Sequence, residues 1–186
     1  PHVAADRIVP ALLYCPSERV TPTLIRQRRQ ARAVVPDDAR GREFAALFAG
    51  TTVQVTPTRD FISAAWEKLA VNSAGVINAI LLQPAGVFHR EKIAALAREF
   101  VRECMAIGRA EGAVLPDDLP ERVLELYRTN PADSVNSIHA DRAAGRPMEL
   151  EARNGVIVRL GRKHGIATPC NALAVALLEA MVKPEM

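Results

Sequence analysis

Two patterns of apolar positions divide the chain. Up to about residue 58 they come in short runs, and from Asp60 onward they recur at helical spacing. In the first part, Ile8 to Tyr14 and Ala31 to Val35 are short and β-compatible, and Pro10, Pro16, Pro22 and Pro36 forbid long helices. Phe44, Leu47 and Phe48 have helical spacing within Gly41 to Ala49, and Gly50 is the stop. Thr51 to Val55 reads as a strand that Pro57 ends. Beyond it, Asp60 is the expected N-cap of a long helix reaching Leu82 and closed by Pro84 and Gly86. A second long helix is expected from about Arg90 to Glu111, with Ile93, Leu96, Ala97, Phe100, Val101, Cys104 and Ile107 on one face. Shorter helices follow over about Leu119 to Tyr127, Ser134 to Ala144 and Leu150 to His164. A last one spans about Asn171 to Val182, entered through Thr168-Pro169. The fold class expected is therefore mainly α: an all-helical domain over residues 59–186, preceded by a partial α/β segment over residues 1–58. A strand-helix-strand remnant of that size does not make a stable sheet by itself, so it needs neighbours.

Composition narrows the class. Hydrophobic residues make up 49% of the 186 positions and charged residues 24%, the balance of a soluble globular protein with a core. Aromatic residues are only 4%, so that core is built from Ala, Leu, Val and Ile, which suits closely packed helices. The formal net charge is +3, and the one basic run, Arg26-Gln27-Arg28-Arg29, reads as a solvated loop, with contact to an anionic ligand as the alternative. Without aromatic interleaving or a groove-binding motif, nucleic acid is not an expected partner. Cys15, Cys104 and Cys170 are far apart and odd in number, which argues against a disulfide framework or a zinc site and for a reducing, cytoplasmic compartment. The four histidines lack metal-ligand spacing, and no metal is expected. No apolar run approaches a membrane span, and no secretory pattern opens the chain.

Three segments carry candidate chemistry. In Trp66-Glu67-Lys68-Leu69-Ala70-Val71-Asn72, Lys68 and Asn72 lie one turn apart on one helix face among apolar neighbours. Such surroundings disfavour the ammonium and bring its pKa toward the physiological range, which suits a general acid for ketone reduction. The plain alternative is that Lys68 snorkels to water and Asn72 caps a loop. In Ser134 to Asp141, Ser134, Asn136 and Ser137 could meet an anion at a helix start, or simply cap it. In Gly145 to Gly155, Glu149 and Glu151 open a helix where its dipole favours them, while Gly155 costs stability unless close packing requires it. The GxSxG, HExxH, GxxxxGK[ST] and GxGxxG patterns are all absent.

Taken in order, these segments resemble the C-terminal part of the ketopantoate reductase (2-dehydropantoate 2-reductase) family. The resemblance is carried by Trp66-x-Lys68-Leu69-x-x-Asn72 and Ser137-x-x-x-Asp141-x-x-x-Gly145-Arg146-x-x-Glu149. Asn154-Gly155 and His164-Gly165-Ile166-x-Thr168-Pro169-x-Asn171 follow, and Ser17-Glu18-Arg19 resembles the late strands of the family's nucleotide domain. The resemblance implies a helical domain like the C-terminal domain of 6-phosphogluconate dehydrogenase, following the tail of a Rossmann domain. It implies NADPH as cofactor and a small 2-oxo acid as substrate. It assigns Lys68 as general acid and Glu149 as a second catalytic residue beside it, with Asn72 and Ser137 as substrate-binding residues. Where the family often has a second asparagine, Val76 stands here, and Asn78 is the candidate to replace it in binding substrate. Without a glycine loop, the piece is expected to be truncated and to have nowhere obvious to hold the pyrophosphate. The long helices, apolar on more than one side, point to a homodimer. A non-catalytic helical binding module derived from such a reductase, and a related dehydrogenase acting on another small acid, are the competing readings.

Overall fold

A computed structural model describes residues 3, 4 and 7–181; Val182, the expected end of the last helix, lies outside them. The chain divides into two compact units, Pro1–Ala65 and Trp66–Met186.

The first unit carries β1 (Leu12–Tyr14), β2 (Ser17–Arg19), β3 (Ile25–Gln27), β4 (Arg32–Pro36), α1 (Ala39–Ala46) and β5 (Gln54–Thr58). β4 is central: β1 pairs with it antiparallel, with Leu12 opposite Val34, and β5 pairs with it parallel, with Ala33 opposite Val55. β2 and β3 form a separate antiparallel ribbon. α1 is the crossover between the two parallel strands, and Asp38 starts it by accepting the Gly41 N–H at 2.7 Å. Two expectations are corrected here. Only Leu12–Tyr14 of the first apolar run pairs, and Pro57 does not end its strand but sits inside β5, opposite Val35. Proline fits there because β5 is an edge strand, where a missing N–H costs no ladder bond.

The second unit is helical. α2 (Phe61–Leu81) starts where Asp60 accepts the Ser63 N–H at 2.9 Å, and from Ala70 onward it runs through the core. Ala70, Ala74, Val76, Ile77 and Ala79 are all buried. After a 3-10 turn at Ala85–His89, α3 (Glu91–Ala110) adds Ala94, Ala97, Phe100, Val101, Cys104 and Ile107 to the same apolar cluster. Leu96, expected on that face, is exposed at its edge. α4 (Leu119–Thr129) and α5 (Ser137–Ala143) follow. The C-terminus of α2 is closed from α5: Arg142 donates to the carbonyls of Ala79 and Ile80, the second at 2.7 Å, satisfying acceptors that a helix end leaves open. Among the described residues no helix is long and apolar enough to cross a membrane.

The helix expected over Leu150 to His164 is two pieces, a π-helical turn at Glu151–Gly155 and then α6 (Val156–His164). The Gly155 N–H reaches back to the Leu150 carbonyl at 3.0 Å, one residue further than in an α-helix. The turn carries Asn154, which is fully buried and donates to the Ser73 carbonyl of α2 at 3.2 Å and to Asn171 Oδ1 at 2.8 Å. Asn171 belongs to α7 (Pro169–Met181), and its amide donates to Glu103 Oε2 of α3 at 2.7 Å. The Glu103 carboxylate also accepts the N–H groups of Cys170 and Asn171, capping the start of α7. A carboxylate at that end meets both the open donors and the helix dipole, a contribution of about 1–2 kcal/mol. Asn154 and Asn171, two residues of the sequence motif, thus tie α2, α3, the π turn and α7 together.

Candidate active site

The site is built around α2 and the turn that packs beside it. Lys68 and Asn72 are both half-buried, one turn apart on α2. Burial holds the Lys68 amine below the usual lysine range; the nearby Arg153 guanidinium adds to that effect and the Glu149 carboxylate opposes it. Arg153 joins the other two candidates. Its Nη2 donates to Ser137 Oγ at 2.8 Å and lies 3.4 Å from Glu149 Oε2. Ser137 is the first residue of α5, whose N-cap Asn136 accepts the His139 N–H at 3.0 Å. Ser137 and Glu149 therefore meet at one arginine, whose charge also acts on Lys68.

That arginine was not among the residues the sequence singled out. Its spacing of four from Glu149 was the available signal, but a pair at that spacing is usually an exposed ion pair. Asn78 lies elsewhere: it is ten positions along α2 from Lys68, roughly 15 Å by helix rise. Its side chain is buried, with Nδ2 donating to the Gln83 carbonyl at 2.8 Å and Oδ1 accepting from Asn136 Nδ2 at 3.2 Å. Those bonds place it in the joint between the end of α2 and the start of α5.

The stretch of α2 that bears Lys68 and Asn72 is held from behind by Tyr127. Its hydroxyl donates to the Val71 carbonyl at 2.8 Å, and its ring stacks on Phe88 with centroids 4.2 Å apart. Burial pushes the Tyr127 phenol up to about 12, so it remains a donor at any working pH. Gly75 makes the approach possible, because a Cβ there would meet Tyr127 Oη at 2.4 Å and Asn136 Nδ2 at 2.8 Å.

The C-terminal domain of the ketopantoate reductase (PanE/ApbA) family matches residues 60–182. The chain belongs to this family. It is 56% identical over 178 residues to a 2-dehydropantoate 2-reductase of Caulobacter vibrioides, covering 96% of this chain and 61% of the relative. Identity to the 2-dehydropantoate 2-reductase of Mycobacterium tuberculosis is 42% over 180 residues, covering 97% of this chain and 61% of that one. The chain thus spans about three fifths of the length of these ketopantoate reductase relatives. Among solved structures, a ketopantoate reductase of Ralstonia eutropha JMP134 superposes with a TM-score of 0.83 at 34% identity, covering 92% of this chain and 58% of the other. A D-mandelate dehydrogenase superposes with a TM-score of 0.84 at 17% identity, over 96% of this chain and 63% of that one. At that identity the likeness shows the shared fold alone.

A nicotinamide dinucleotide needs a strand-to-helix turn whose free N–H groups and glycines admit its phosphates. Both such turns here are taken. Asp38 occupies the start of α1 and Asp60 the start of α2, each accepting an N–H that a phosphate would use and each presenting a negative charge. Gly41 serves packing instead, since a Cβ there would collide with the Pro36 carbonyl at 1.8 Å. The described residues do not form a pyrophosphate cradle.

Proposed function

We propose that this chain is the substrate-binding part of an NADPH-dependent reductase of a small 2-oxo acid, of the 2-dehydropantoate type. The supporting observation is the half-buried Lys68, its ammonium disfavoured by burial, beside Arg153, Ser137 and Glu149. In this reading residues 1–58 are the tail of a nucleotide-binding domain, and the dinucleotide is held by a longer protein that includes residues beyond those described.

The chain's own residues handle the acid. Lys68 donates a proton to the substrate's carbonyl oxygen as negative charge develops there, and its positive charge stabilises that oxygen beforehand. A lowered pKa eases the transfer, because the acid is then closer in strength to the working pH. Asn72, one turn away, hydrogen-bonds the substrate's carbonyl or hydroxyl oxygen. Ser137 faces the carboxylate end, and Glu149 orients the substrate beside Lys68. Asn78, bonded within the α2–α5 joint, acts on the site by holding Asn136 and with it the start of α5.

The test is NADPH consumption by the whole reductase with 2-dehydropantoate and a panel of 2-oxo acids. Selective turnover of 2-dehydropantoate is expected; preference for an aromatic 2-oxo acid would assign the protein to another reaction on the same fold. We also propose a homodimer, supported by the exposed Leu173, Leu177 and Met181, which recur every fourth residue along α7. Light scattering at micromolar concentration should give twice the chain's mass, and a monomer mass would remove this proposal.

A further inference from the structure

The helical unit holds a cation whose needs its fold meets only in part. The Arg153 side chain is 11% exposed, while that of Glu149, its ion-pair partner, is 74% exposed and stands 3.4 Å away. Nη2 also donates to Ser137 Oγ at 2.8 Å, but Nε is buried with no hydrogen-bond partner. Taking a guanidinium out of water is costly unless a counter-charge is close and every donor is met. Here the counter-charge, though in contact, is mostly in water, and one donor is open.

An ordinary ion pair along the turn would explain the Glu149 contact. It would not explain why Arg153 is withdrawn from solvent, nor why Nε is left without an acceptor. Nε and Nη2 form one edge of the guanidinium, the edge that receives both oxygens of a carboxylate. Lys68 stands close enough for Arg153 to disfavour its ammonium. The guanidinium is thus left with one buried donor open and a counter-charge that faces water, and a bound carboxylate would meet both needs.

We infer that Arg153 binds the substrate's carboxylate through Nε and Nη2, and so makes the site selective for 2-oxo acids over neutral ketones. The inference rests on the reductase reading above. Before substrate arrives the guanidinium is held by Ser137 and, more loosely, by Glu149. On binding, the carboxylate replaces the Glu149 contact and supplies the missing acceptor at Nε, and the neighbouring carbonyl falls beside Lys68.

All four residues lie in this chain, so binding is measured on it directly, by NMR titration with oxamate, a monoanionic mimic of a 2-oxo acid, against neutral oxamide. Wild type is expected to bind oxamate and not oxamide, and Arg153→Gln to weaken oxamate by roughly 30-fold or more, as for loss of a charged two-point contact. Arg153→Lys keeps the charge without the fork; a loss of roughly tenfold is expected, and it decides the matter if the glutamine variant does not fold. Absence of oxamate binding, equal binding of oxamide, or unchanged affinity in a folded variant would overturn the inference. In the whole reductase, Arg153→Gln should raise KM for the 2-oxo acid at least as much, with a far smaller change in kcat and none in KM for the corresponding methyl ester. An equal rise for acid and ester would mean a merely structural role. If wild type reduces no 2-oxo acid yet binds oxamate through Arg153, the reductase reading fails and the carboxylate site stands.

Discussion

Replacing Lys68 by methionine is expected to lower kcat/KM for 2-oxo acid reduction by roughly 10²–10⁴-fold while raising the melting temperature of the protein. Both effects come from one circumstance. The amine is half-buried, and burial is the largest cause of its lowered pKa. In the proposed reaction that environment would provide a proton donor whose charge faces the oxygen that becomes negative. In the resting fold it is a cost, which an apolar side chain of similar length removes.

The pH dependence distinguishes this from a change in packing. The unfolded chain titrates near the ordinary lysine value of 10.5, and the folded one below it. Below the folded pKa the ammonium is present in both states and its destabilising effect is full. Between the folded value and 10.5 the folded state gives up its proton first, so the wild type gains stability from this group as pH rises. The methionine variant has no such gain. Its advantage in melting temperature should therefore be largest near neutral pH and shrink toward pH 10; an advantage independent of pH would point to packing alone. Activity within about threefold of wild type would take Lys68 off the proton path.

The second large effect is on stability. Gly75→Ala, which in an exposed helix would stabilise by about 1 kcal/mol, should here destabilise by about 2–4 kcal/mol and lower the melting temperature by roughly 10 °C. The new methyl would meet Tyr127 Oη at 2.4 Å and Asn136 Nδ2 at 2.8 Å. Neither can retreat cheaply. Tyr127 is stacked on Phe88 and bonded to Val71, and Asn136 bonds the Gly75 carbonyl, bonds Asn78 and caps α5. Tyr127→Phe in the same chain removes the closer obstacle. The pair should then be less destabilised than the sum of the single changes by about 1 kcal/mol. Thermal melts of the four proteins decide it, and a Gly75→Ala variant as stable as wild type would contradict the geometry.

How much of this could be read from the sequence depends on how local its cause is. The helices were legible because their causes are local: the apolar stripe of α3, the Asp60 cap, and Thr168-Pro169 at the entry to α7. The interruption at Glu151–Gly155 was not, since it accompanies the bonds Asn154 makes to Ser73 and Asn171, 81 and 17 residues away in sequence. Pro57 reads as a stop because nothing nearby in sequence shows that its strand lies at a sheet edge. In the site, Lys68, Ser137 and Glu149 are singled out in the sequence by the family resemblance that their ordered motifs carry. That Ser137 and Glu149 meet at Arg153 is not legible there, because a guanidinium's burial depends on which helix covers it. Asn78 stands two positions after Val76, and those two positions turn its side chain about 200° around the helix axis from that of Val76.

The π turn also bears on how this segment tolerates change. It holds one residue more than an α-helix would over the same rise, and that extra residue sets where Glu149 and Arg153 stand relative to Ser137. Most substitutions within it leave the length, and hence the rotation, alone. Loss of a single residue after Arg153 would let the backbone ladder close as regular α-helix and turn Arg153 by about 100° about the axis of α6. The overall count of helices would survive such a deletion. The facing of acid, arginine and serine would not, so the length of this turn constrains the site as tightly as the identity of any one of its side chains.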